Sequence, residues 1–215
     1  MARSRPSLDV SGCLLAPENH PDVRPFSWPE LFGSAQPVEL EIGSGKGLFL
    51  ASAGVQRPEH NFLGVEISRK YARLAAERVT KRGLTNVKVW PGDARAFMAQ
   101  RVAGASLRAV HVYFPDPWWK KRHKKRRVFT AELVAAIVRG LEPAGVLHVA
   151  TDVEEYYEVI RSLIAAEPLL AELPPPSVRE PEHDLDYLTN FERKFRIEGR
   201  AIHRASYRKT GDRQC

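Results

Sequence analysis

Apolar positions in this chain fall into two alternating rhythms. Short, nearly continuous apolar runs, the length of buried strands, are followed by longer stretches with apolar residues three and four apart, the spacing of a helix face. The first run is Val38 to Ile42, and a helix is expected from near Lys46. Asn61 to Glu66 predicts a second strand, and Ser68 the cap of a helix with Tyr71, Leu74, Ala75 and Val79 inward. Val87 to Trp90 is a third strand, followed by a helix over Ala94 to Val102. Leu107 to Phe114 is a fourth, and Thr130 caps a helix facing the core with Leu133, Val134, Ile137, Val138 and Leu141. Pro143 to Gly145 turns into a fifth strand, Val146 to Ala150, before a helix over Val153 to Ala166 that turns Tyr156, Ile160, Leu163 and Ile164 inward. Leu169 to Leu173 is a weak sixth candidate and Ala201 to Tyr207 a late one. Strands alternating with amphipathic helices predict an α/β fold, a doubly wound, mostly parallel sheet covered on both faces.

Residues 1–36 contain seven prolines or glycines and no clear periodicity, which predicts an irregular lead-in folded over an edge of the core. The remainder reads as one domain over 37–208 and a short tail over 209–215. The net charge of +7 favours a polyanionic partner. Cys13 and Cys215 lie near opposite ends, so neither a disulfide framework nor a metal site is expected, and a cytoplasmic location suits the chain. No apolar run is long enough for a membrane span, and the N-terminus lacks the apolar stretch of a signal peptide. The oligomeric expectation is open between monomer and homodimer.

Between the first strand and its helix stands Gly43-Ser44-Gly45-Lys46-Gly47. Glycines after a strand let the backbone turn sharply and approach a ligand. The spacing is neither the G-x-G-x-x-G of dinucleotide folds nor the G-K-[ST] ending of a phosphate loop. Glu66 ends the second strand about 20 residues further on, where a carboxylate can accept from ribose hydroxyls. Glu41, Asp93, Asp116 and Asp152 likewise stand at or near the ends of the first, third, fourth and fifth strands. Five carboxylates make a poor cradle for a pyrophosphate. They suit a cationic cofactor carrying ribose, amine and sulfonium, which favours S-adenosylmethionine over NAD. The structural alternatives are a loop brace for Glu41 and helix N-caps for Asp93 and Asp152.

Phe114 to Arg127 reads F-P-D-P-W-W-K-K-R-H-K-K-R-R. Asp116 stands between two prolines and beside Trp118 and Trp119, and Pro117 keeps it out of helical backbone. Seven of the eight residues from Lys120 to Arg127 are Lys or Arg. A carboxylate beside aromatic rings suits a flat polar base, and clustered cations suit phosphates. A solvated basic loop is the plain alternative. Two rival functions are an NAD(P)-linked oxidoreductase and a non-catalytic RNA-binding module.

With these motifs in order the chain resembles the bacterial tRNA (guanine-N7)-methyltransferases. The resemblance rests on L-E-I-G-S-G-K-G at 40–47, F-L-G-V-E at 62–66, G-D-A at 92–94, the 114–127 block, A-T-D at 150–152 and T-N-F-E-R-K at 189–194. It implies a Rossmann-like class I methyltransferase fold with a seven-stranded sheet, one strand antiparallel, and methyl transfer from S-adenosylmethionine to a guanine N7 in the tRNA variable loop. It implies that Glu41, Gly43, Gly45, Gly47, Glu66, Asp93 and Asp116 meet the cofactor, with Asp116 also the catalytic position. Lys120, Asp152 and the segment Thr189, Asn190, Phe191 and Glu192 would hold the substrate guanosine. Arg122, His123, Lys124, Lys125, Arg126 and Arg127 would meet tRNA. Trp119 and Asn190 fall where the family varies, and residues 1–36 look little like it.

Overall fold

The computed structural model describes residues 8–118, 122, 127–175 and 189–211. Its centre is a seven-stranded sheet in the order β3-β2-β1-β4-β5-β7-β6. The strands are β1 (Val38–Ile42), β2 (Asn61–Glu66), β3 (Val87–Pro91), β4 (Leu107–Tyr113), β5 (Leu141–Thr151), β6 (Leu170–Glu172) and β7 (His203–Lys209). β1 to β5 are mutually parallel, while β7 runs antiparallel to both β5 and β6. The seven-stranded expectation with one antiparallel strand therefore holds, and so does the weak sixth strand.

The helices are α1 (Trp28–Phe32), α2 (Leu48–Gln56), α3 (Arg69–Thr80), α4 (Ala94–Arg101), α5 (Ala131–Gly140), α6 (Glu154–Ala165) and α7 (Asn190–Ile197). Parallel strands buried on both faces need helices on both. Phe49, Leu50 and Ala53 of α2 and Ala72, Ala75, Ala76 and Val79 of α3 pack with Phe62, Val87 and Val89 on one face. On the other, Phe97, Leu133, Ile137, Tyr156 and Ile160 from α4, α5 and α6 pack with Leu40, Ile42, Val110 and Val112.

The lead-in follows the outer edge of β3. Leu15 N–H donates to the Val89 carbonyl and Val89 N–H to the Cys13 carbonyl, at 2.8 and 2.9 Å. Pairing of this kind covers an otherwise open sheet edge. The buried Arg101 secures the segment by donating to the His20 and Asp22 carbonyls.

Three expectations need correction. α2 starts at Leu48, two residues later than expected, because Gly45 and Gly47 are left-handed (φ 52° and 68°) and cannot continue a helix inward. The inward face of α3 is rotated: Ala72, Ala75, Ala76 and Val79 are buried, whereas Tyr71 and Leu74 are exposed. Close approach to α2 selects the small side chains. A Cβ added at Gly47 would lie 2.7 Å from Ala75 Cβ and 3.0 Å from its Cα. Finally, β5 begins at Leu141, which pairs with Leu107 instead of extending the α5 face; the ladder breaks there and resumes at Ala109 opposite Val146. The residues between loop out through Ala144, at φ 63°.

Gly47→Ala should destabilise the protein by at least about 1–3 kcal/mol, since it adds both left-handed strain and a clash with the α3 backbone. Gly43→Ala has the same sign of φ but open space around the added carbon, so it should cost less. Urea unfolding of the two variants checks this, and equal losses would contradict the packing argument.

Candidate active site

Because β3, β2, β1, β4 and β5 are parallel neighbours, their carboxyl ends form one rim, about 19 Å long at the usual strand spacing. Glu41, Glu66, Asp93, Asp116 and Asp152 are distributed along it. Glu66 does the most to shape it. Its Oε2 accepts from Gly45 N–H and its Oε1 from Ser68 N–H, both at 2.8 Å. One carboxylate thus holds the glycine loop and the start of α3. Gly43 N–H donates to the Val65 carbonyl at 2.8 Å. A Cβ at Gly43 or Gly45 would meet nothing within 4 Å, so open space faces this part of the loop.

Glu41 lies beside Glu66 and is only 2 % exposed, yet its Oε2 has no hydrogen-bond partner. Burial, and then the Glu66 charge, push its carboxyl well above the ordinary range. The loop-brace alternative leaves that oxygen unexplained. Ser44 Oγ, also buried, lacks a partner too. Orphaned acceptors beside an open glycine loop suit a ligand that brings positive charge and donors. The residues present therefore fit a cationic sulfonium cofactor.

Asp93 proves to be the N-cap of α4, accepting from Arg95 N–H at 2.8 Å and Ala96 N–H at 3.1 Å. It remains half-exposed at the rim, so capping and ligand contact are compatible. Asp152 is not a cap: Val153 holds that position, and Asp152 pairs with Arg200.

Asp116 is exposed on the loop after β4. Phe114 and Trp118 on either side of it are left-handed, with φ 51° and 43°, which is costly for bulky side chains. Two anchors hold that shape. Phe114 N–H donates to the Ala150 carbonyl at 2.7 Å, and Arg127 Nε donates to the Pro117 carbonyl at 2.7 Å. The Arg127 guanidinium also lies 4.9 Å from the centre of the Tyr156 ring. Arg127, expected to face RNA, thus has partners within the protein. Arg122 is exposed. Trp119, Lys120, His123, Lys124, Lys125 and Arg126 lie outside the described residues.

Thr189 caps α7 through its hydroxyl, which accepts from Glu192 N–H at 3.0 Å, so T-N-F-E supplies half of a capping box. Asn190 and Phe191 form the first turn. The Glu192 carboxylate is buried, and its Oε1 accepts from Arg196 Nε at 3.1 Å and Arg204 Nη2 at 2.5 Å. Together with the Asp152–Arg200 pair just beyond α7, these contacts bring the segment to the rim at β5.

Behind the rim is a buried polar layer that motif reading missed. Glu39 accepts from Arg57 and contacts His60 Nδ1 at 2.6 Å, and its Oε2 meets His111 Nε2 at 2.7 Å. A carboxylate only accepts, so His111 carries its proton on Nε2 and takes the Tyr113 hydroxyl at Nδ1, at 2.9 Å. His148 stacks on His111 at 4.9 Å and bonds Ser206 Oγ through Nδ1 at 2.8 Å. Burial alone would raise the Glu39 carboxyl. The hydrogen bond from His111 and the charge and hydrogen bond of Arg57 outweigh it, bringing Glu39 down to about 2. Burial, followed by His111, pushes His148 down to about 3. The available signal was parity: Glu39 is two residues before Glu41 on the same strand face, and His111 and His148 stand in register on neighbouring strands.

A family model described as "Putative methyltransferase" matches residues 35–205. The tRNA (guanine-N(7)-)-methyltransferase of Rhodopirellula baltica is 45% identical over 215 residues, covering 97% of this chain and 79% of that protein. The chain belongs to the tRNA (guanine-N7)-methyltransferase family. A second relative with that name, from Geobacter metallireducens, is 35% identical over 191 residues, covering 87% of this chain and 89% of its own. Among solved structures, the 16S rRNA methyltransferase KamB superposes with a TM-score of 0.63 at 16% identity, covering 87% of this chain and 96% of that one. A Haemonchus contortus phosphoethanolamine N-methyltransferase, in complex with S-adenosyl-L-methionine, superposes at 0.53 with 16% identity, over 89% of this chain and 54% of that one. At these identities the likeness shows that the family member has the class I methyltransferase fold. No helix among the described residues is long and apolar enough to cross a membrane.

Glu41 supplies a pH test. Its carboxyl holds a proton in the folded chain above 4.5, the ordinary value at which the unfolded chain releases it. Ligand-free stability therefore falls as pH rises from about 4.5 towards the raised folded value. Glu41→Gln cannot ionise, so it should remove that fall, and the variant should gain stability relative to the wild type as pH rises from 5 to 8. Denaturant midpoints at pH 5 and pH 8 check this; the same pH dependence in both proteins would place Glu41 in a solvated setting.

Proposed function

We propose that this protein transfers a methyl group from S-adenosylmethionine to N7 of a guanine in the variable loop of tRNA, in the cytoplasm. The observation that carries the reading is the 45% identity to a tRNA (guanine-N(7)-)-methyltransferase over 97% of the chain. The acidic rim supports it, because carboxylates suit a cationic donor better than a dinucleotide.

S-adenosylmethionine, when bound, supplies a methyl group activated by a sulfonium. Glu66 would accept from the ribose hydroxyls with the lone pairs left over from its two backbone contacts. Asp93 would meet the adenine end and Glu41 would balance the positive charge, while Gly43 and Gly45 would leave the backbone room for the cofactor and Gly47 seats the loop against α3. Guanine N7 carries a free lone pair on the major-groove edge, so it attacks without first losing a proton. A strong general base is unnecessary, and alignment of the reacting atoms supplies most of the acceleration. Asp116 accepts from guanine N–H groups and stabilises the positive charge that develops on the base. Lys120, Asp152 and the Thr189 to Glu192 segment hold the guanosine. Arg122, His123, Lys124, Lys125 and Arg126 grip the phosphates, with Arg127 bracing the Asp116 loop against Tyr156.

Asp116→Ala should slow single-turnover methylation of tRNA on the order of 10²-fold while the protein stays folded, the scale of removing one electrostatic interaction with a transition state. An unchanged rate would make Asp116 structural. The position is tested separately. Borohydride reduction and aniline scission cut RNA at 7-methylguanosine, and treated tRNA should be cut within the variable loop. Cleavage confined to another arm would contradict that assignment.

A further inference from the structure

The outward face of α3 carries a charge density that the proposed site leaves unused. Arg69, Lys70, Arg73 and Arg78 lie on the helix, and Lys81 and Arg82 on the turn that follows. Glu77 is the one carboxylate among these six cations, in a chain whose whole net charge is +7. Arg69, Lys70, Arg73, Lys81 and Arg82 are all exposed. A helix that only meets water gains from opposite charges four residues apart. Here Arg73–Glu77, at 3.1 Å, is such a pair and Glu77 and Lys81 share the spacing without forming an ion pair, whereas Arg69 and Arg73 repeat like charge at that spacing, as do Arg78 and Arg82. Burial, and then the Arg82 charge, push the Arg78 guanidinium down. No carboxylate partner is present for Arg69, Lys70 or Lys81 among the described residues.

The helix is also placed to matter. Ser68, its N-cap, donates its N–H to Glu66 at the cofactor rim. Lys46 of the glycine loop lies 5.7 Å from the centre of the exposed Tyr71 ring. The cations therefore run from beside the loop to the far end of α3, about 20 Å at the helical rise. This track is on a different element from the Lys120 to Arg127 run.

We infer that the outward face of α3 is a second tRNA-contacting surface, along which Arg69, Lys70, Lys81 and their neighbours neutralise consecutive backbone phosphates next to the methyl-transfer site. The inference rests on tRNA being the substrate. It adds a grip that the basic run does not supply, and it gives the like-charge repetition on α3 a physical reason.

The test is the triple variant Arg69→Gln/Lys70→Gln/Lys81→Gln, titrated with unfractionated tRNA over a range of salt. Each phosphate left without its cation makes the logarithmic salt dependence shallower by about 0.7–0.9, so three should reduce the slope by about two to three and weaken binding at least about tenfold at low salt. Affinity for S-adenosylmethionine and the urea midpoint should be unchanged. An unchanged tRNA affinity and slope would overturn the proposal. So would unchanged tRNA binding combined with abolished binding to phosphatidylserine vesicles, which would make α3 a membrane-facing helix. Wild-type protein that binds tRNA without methylating it would defeat the functional reading alone, and the titration would still decide the surface.

Discussion

The Glu66 carboxylate is the contact on which the acidic rim depends. It ends β2 and accepts Gly45 N–H with one oxygen and Ser68 N–H with the other. The first bond holds the glycine loop in its left-handed path, and the second sets where α3 begins. Glu41, next to last in the neighbouring strand, has its Oε2 unpartnered, and burial beside Glu66 drives it towards its neutral form. The unsatisfied Glu41, buried next to the Glu66 charge, destabilises a ligand-free protein. A cofactor carrying a sulfonium and an amine, as proposed, would offset that cost.

A second layer of polar groups lies deeper, and it works differently. Glu39, Arg57, His60, His111 and Tyr113 form a hydrogen-bonded group, and His148 links its stacked ring to Ser206. These contacts tie β1, β4, β5 and β7 together beneath the rim. Glu39 is satisfied where Glu41 is not, so the two carboxyls of one strand face differ in kind. At the β5 end, Glu192 with Arg196 and Arg204, and Asp152 with Arg200, fasten α7 to the site.

Most of the sheet was legible because parallel strands buried on both faces leave short apolar runs, as in Phe62–Val65 and Val110–Val112 around its one histidine, and β1 shows as Val38, Leu40 and Ile42 alternating with Glu39 and Glu41. Helix boundaries were legible where a capping side chain marks them, as at Ser68 and Thr130. The rotated face of α3 was not, because Tyr71 and Leu74 fit the helical period as well as Ala72 and Ala76 do. Only the tight approach of Gly47 to Ala75 chooses between them. The early start of β5 was hidden by Pro143 to Gly145, which reads as a turn into the strand and is instead an excursion within it. At the site, the strand-end acids were legible one by one from their positions. The N-cap role of Asp93 was legible too, since its capping contacts are to Arg95 and Ala96, two and three residues on. That Asp152 is not a cap and pairs with Arg200 depends on three-dimensional neighbours. The Glu39–His111 layer needed strand register, which no local pattern contains.

Methylation of guanine N7 in tRNA is tested most directly by following the methyl group itself. The protein is incubated with unfractionated tRNA and S-adenosylmethionine labelled in its methyl group, and the RNA is digested to nucleosides, which are then separated. The label should enter tRNA and be recovered as 7-methylguanosine. Label recovered on another nucleoside or another guanine atom, or no transfer to tRNA at all, would contradict the assignment.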